Sequence, residues 1–70
     1  METIKLIVAY SDESGNPKGI MTEDGYNRIM DKSWIRHRVE IIVPKKDWDE
    51  EKIHIGNVKA IVSKQIGDIF

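Results

Sequence analysis

The chain has 70 residues and a mass of 8.1 kDa, with no cysteine, 33% charged and 40% hydrophobic residues. Such a length is about half that of a usual domain, so residues 1–70 read as a single domain; a disulfide framework and a thiolate zinc site are both excluded. Eleven bases against twelve acids give a net charge of -1 and a pI near 6.1, which is not the footprint of a protein held to DNA or anionic lipid by bulk charge.

No apolar run approaches the ~20 residues of a membrane span. The start, Met1-Glu2-Thr3-Ile4-Lys5, has an early acid and no small-residue cleavage pattern, so a cytoplasmic location is the expectation. The apolar residues are mostly branched at Cβ: twelve Ile and five Val against one Leu, Leu6. Branching restricts χ1 and suits a pleated surface, which favours an α+β or mostly β chain over a helical bundle.

Residues 3–10 alternate as a first strand, with Ile4, Leu6, Val8 and Tyr10 on one face and Thr3, Lys5, Ile7 and Ala9 on the other. Ser11 to Gly19 is dense in turn formers and reads as a hairpin loop returning to a short strand near 18–21. Thr22-Glu23-Asp24 has the chemistry of a helix start. Tyr26, Ile29 and Met30 follow at i, i+3 and i+4, predicting a helix over 22–33.

Residues 35–43 form the strongest strand pattern. Ile35, His37, Val39, Ile41 and Val43 share one face; Arg36, Arg38, Glu40 and Ile42 share the other, with Trp34 in phase before them. Pro44 ends the strand because it cannot donate to a ladder. Asp47 to Glu51 reads as one helical turn with an Asp-x-x-Glu arrangement. Ile53 to Val62 contains a Gly56-Asn57 pair between β-prone runs and predicts a two-residue hairpin. The tail, with Ile66, Ile69 and Phe70, predicts a docked turn or short strand.

The expected architecture is therefore a small, mostly antiparallel sheet of four to five strands with one helix on one face. Its core would comprise Leu6, Val8, Tyr10, Ile29, Val39, Ile41, Val43, Ile53, Ile55 and Val62. Ile7 and Ile42 add apolar area that one small sheet does not obviously cover.

No catalytic residue, metal ligand set or cofactor motif is assigned. His37 falls on the apolar strand face and reads as packed; His54 reads as solvated. The serines lack a nucleophile-elbow pattern, and the acidic stretches lack calcium-loop spacing. OB-like, SH3-like, ubiquitin-like and ribbon-helix-helix signatures are missing too, the last for want of a second long helix.

Charge is uneven, however. Residues 28–46 hold six bases and two acids, a net +4, while the remainder carries -5. Trp34, Arg36, Arg38, Lys45, Lys46 and Trp48 are the candidate partner-binding residues, because Trp and Arg dominate interface energetics when desolvated. The expected function is that of a non-catalytic regulator or inhibitor acting stoichiometrically on a protein partner, with homodimer formation in scope. Chains of this size and near-neutral charge recur among phage and mobile-element inhibitors, an association rather than a mechanism. The alternative is a nucleic-acid-binding β module, in which Trp34 stacks bases while the basic segment 28–46 neutralises phosphates.

Overall fold

The structure, a computed structural model, describes residues 2–67. Its elements run β1 (Thr3–Tyr10), β2 (Gly19–Thr22), α1 (Glu23–Asn27), β3 (His37–Pro44), α2 (Lys45–Asp49) and α3 (Ile55–Ile66). The strands form one antiparallel sheet in the order β2-β1-β3. The α+β class holds, but there are three strands and three helices where four to five strands and one helix were expected.

Register follows the alternation in the sequence. Leu6 faces Ile41, Val8 faces Val39 and Tyr10 faces His37 across β1 and β3. Directly opposed residues share a face, so one side of the sheet gathers Leu6, Val8, Tyr10, Ile41 and Val43. Ile53 and, from α3, Val58 and Val62 close over this core face. Ile4, Ile20, Val39, Trp48 and Ile61 surround it, partly buried.

The opposite face carries Ile7 and Ala9, both fully buried. Here α1 and the loop after it supply the cover. A Cβ at Gly19, the register partner of Ala9, would sit 3.6 Å from Cη2 of Trp34, so the indole lies close above a residue with no side chain. Ile42, near the far end of β3, stays half exposed.

Two expectations fail, for identifiable reasons. The segment 53–62 is not a hairpin; it enters α3. His54 Nδ1 accepts from the Gly56 N–H (3.1 Å), and Asn57 Oδ1 accepts from the His54 N–H (2.9 Å). Reciprocal capping satisfies free donors at the helix start. Val58, Ile61 and Val62 then fall on one face at i, i+3 and i+4, matching the core face of the sheet. Ile55, expected in the core, is 44% exposed at the helix start.

The helix expected at 22–33 stops after Asn27. The Arg28 N–H is shared between the carbonyls of Asp24 and Gly25, both at 3.2 Å, and the Ile29 N–H turns to Tyr26 (3.2 Å). Asp31 Oδ1 then takes the Ser33 N–H (2.9 Å) in a local turn that competes with helix. Ile29 is only partly buried and Met30 is fully exposed, so neither joins the core. The expected turn at 47–51 is α2, starting two residues earlier behind Pro44. In the tail, Ser63 to Ile66 belong to α3, while Ile69 and Phe70 lie outside the described residues.

Adjacent positions on β3 test the register. Ile41 is fully buried and Ile42 half exposed. Ile41→Ala should lose about 2–5 kcal/mol, a large part of the roughly 4–10 kcal/mol a chain of this length commands. Ile42→Ala should lose less than about 1 kcal/mol; urea midpoints at constant slope report both. Helix α3 has its own test: His54→Ala should cost about 1 kcal/mol, and His54→Ser, which retains a capping acceptor, should recover most of it.

Candidate interaction surface

The six candidate residues do not form one patch. Trp34 and Arg38 belong to the face covered by α1, whereas Trp48 packs against the core face. Arg36 sits at one end of β3, its N–H donating to the Tyr10 carbonyl (2.8 Å). Lys45 and Lys46 follow the other end, and the Lys45 N–H donates to the Glu2 carbonyl (3.0 Å). A strand of this length separates the two ends by about 26 Å. The basic segment 28–46 is therefore stretched along the sheet.

On the α1 side, Tyr26 organises the surface. Its ring carries Arg38 Cζ at 4.9 Å and Lys32 Nζ at 5.2 Å from the centroid. Cation–π contacts of this kind contribute about 0.5–1 kcal/mol at exposed sites. Lys32 also donates to the Ile29 carbonyl (2.8 Å), a bond within the loop just beyond α1. Trp34, 40% exposed, and Met30, fully exposed, present the loop's apolar groups to solvent. Tyr26 lies in α1, as the sequence led one to expect, whereas Met30 and Lys32, read in the sequence as helix residues, lie in the loop, where Asp31-x-Ser33 forms a local turn.

The charges on this side are largely answered locally. Arg38 pairs with Glu40 (3.3 Å) and Arg28 with Asp24 (3.4 Å). Lys5 lies 2.8 Å from Glu23 and 3.8 Å from Glu40. The Glu23 carboxyl is held below its ordinary value by its hydrogen bond to the Lys5 ammonium and by that cation's charge. Lys5 is raised by the same contact. These pairs are exposed and stabilise the fold little, yet they flatten the surface potential.

On the core side, Trp48, Ile20, Ile53 and Ile55 line an open groove of about 700 Å³ whose rim bears Asp49 and Glu51. Glu51 adopts φ 59°, a left-handed conformation uncommon outside Gly and Asn. Lys45 is paired with Asp49 (2.8 Å) and Lys46 lies 3.9 Å from Glu50, so both α2 lysines face acids of their own helix.

The two histidines have structural surroundings. His37 stacks on Tyr10 with ring centroids 4.5 Å apart and planes 9° from parallel, and His54 caps α3. Among the described residues no group of three or more His, Cys, Asp or Glu side chains is placed to hold a metal ion. No helix among them is long and apolar enough to cross a membrane.

The Asp31–Ser33 turn shapes the exposed loop and is open to titration. Asp31 is held below its ordinary value of 3.8 by the Ser33 hydroxyl and by the Ser33 N–H. A depressed carboxyl contributes fully above its unfolded value, and the contribution disappears as pH falls through the lower folded value. The Ser33 amide resonance should therefore titrate with a midpoint below 3.8, and Asp31→Ala should abolish that transition.

No protein-family model matches this chain, nor does any curated protein or solved structure.

Proposed function

We propose that this protein acts stoichiometrically, without chemistry of its own, as a small regulator or inhibitor of another protein. Its contact surface is the loop 28–36 with the adjoining face of β3. One observation carries the reading: a loop of nine residues, anchored on the sheet at Trp34 and at the Arg36 N–H, exposes Met30 and part of Trp34. Aromatic and thioether groups beside arginine are the composition of interface centres, and loops set on a rigid scaffold are where binding concentrates.

A protein partner fits better than a polyanion. Among the charges around this surface, Lys5, Arg28, Lys32, Arg36 and Arg38 stand against Glu23, Asp24, Asp31 and Glu40, which leaves a net +1. Nucleic-acid binding relies on uncompensated cations that displace counterions. Here most cations already have an acid beside them, and Lys45 and Lys46 stand at the far end of β3. Trp48 is a core-flanking residue on the other side of the sheet and belongs to the groove, not to this surface.

A photo-crosslinking residue in place of Met30, with a second at exposed Lys64 on α3 as the control, tests the reading in host extract. The expected result is one discrete protein adduct from position 30 that is missing from position 64. With that partner purified, Trp34→Ala should weaken binding by at least about tenfold with little response to salt. Affinity for an oligonucleotide that falls steeply with salt and disappears in Arg36→Ala/Arg38→Ala would replace this proposal with the nucleic-acid reading.

A further inference from the structure

The sheet ends on β3, whose outer edge is open over much of its length. Ile42 turns both main-chain groups away from β1: its N–H donates to Gln65 Oε1 (3.0 Å), and its carbonyl accepts from Gln65 Nε2 (2.6 Å). Backbone direction alternates along an antiparallel strand, so Glu40 and Arg38 point the same way. Neither has a main-chain partner on that side among the described residues. A long strand with an unpaired edge offers a place for another strand. The Gln65 amide already occupies that place at Ile42 and ends any added ladder there.

We propose that this edge receives β3 of a second copy, antiparallel about a two-fold axis at Val39, so that two three-stranded sheets become one of six. Charge self-complementarity selects this register. With the axis at Val39, Arg38 faces Glu40 of the partner subunit, and Glu40 faces Arg38 of the partner subunit. Both hydrogen-bonded pairs are then of opposite sign. Moving the axis to Glu40 sets carboxylate against carboxylate and requires the Ile42 groups that Gln65 holds. Moving it to Arg38 sets guanidinium against guanidinium. An axis between residues would oppose an outward backbone group to one already bonded to β1. In the Val39 register the added strand runs out at its own His37, where β3 begins, one residue before the position that Gln65 blocks. Arg38 and Glu40 are 45% and 46% exposed, within reach of a partner despite their 3.3 Å pairing within the chain.

Sedimentation velocity of the full chain from about 1 µM to about 1 mM should show a concentration-dependent dimer. Arg38→Glu and Glu40→Arg each create two like-charged pairs in that dimer, and each should raise its dissociation constant at least about tenfold. Mixing the two variants should restore the dimer, because all four charges are then opposed although the ion pair within each chain stays broken. The double exchange Arg38→Glu/Glu40→Arg keeps both kinds of pairing and should dimerise like the parent, which covers the case of a poorly folded single variant. A parent chain that stays monomeric throughout, single variants that still dimerise, or folded variants that do not pair when mixed would each overturn the proposal.

Discussion

The structure depends on one strand being buried from both sides. Leu6, Ile7, Val8, Ala9 and Tyr10 are consecutive and each is at most 1% exposed. Side chains alternate across a sheet, so five consecutive buried residues require cover above and below. With only two other strands beside β1, the rest of the chain is committed to that task. Helix α3, with Ile53 and Trp48, covers the face of Leu6, Val8 and Tyr10, while α1 and its loop cover Ile7 and Ala9.

The second cover is thin, and the candidate surface arises from that. Helix α1 ends after five residues, and its continuation runs as a loop through the Asp31–Ser33 turn to Trp34, which sits over Gly19. The indole edge lies within van der Waals range of where a Cβ at Gly19 would sit. Tyr26 serves as a platform for Lys32 and Arg38. Apolar groups left outside on such a loop are what a partner would desolvate, and the neighbouring ion pairs set an acid beside Lys5, Arg28 and Arg38.

The first cover also manages the sheet's edge. Helix α3 begins beside Ile20 of β2 and ends with Gln65 bonded to Ile42 of β3, so it spans all three strands. Its start is held by the exchange between His54 and Asn57, and Asn57 further donates to the Lys52 carbonyl (2.7 Å). Its end is marked by Gly67 at φ 92°, in the region that favours glycine. The helix thereby occupies the β3 edge at Ile42 and leaves Arg38 and Glu40 open.

Strands β1 and β3 were legible in the sequence because period-two alternation is a local property that survives in any context where one face is buried. Which strands pair, and in what register, came from the structure, where Leu6 opposite Ile41 brings the two apolar faces together. The stretch from Ile53 to Val62 carried two signals at once: alternation around Gly56-Asn57, and helical spacing at Val58, Ile61 and Val62. Sequence alone could not rank them, since β-branched residues favour strand only weakly against tertiary packing. What decided was the uncovered face of β1, which a helix with three adjacent apolar groups covers and a further hairpin at the sheet edge would not. The same reason divides the candidate residues. The residue types were visible in the chain, but whether Trp34 and Trp48 share a surface depends on which face each connection crosses, and only the tertiary structure fixes that.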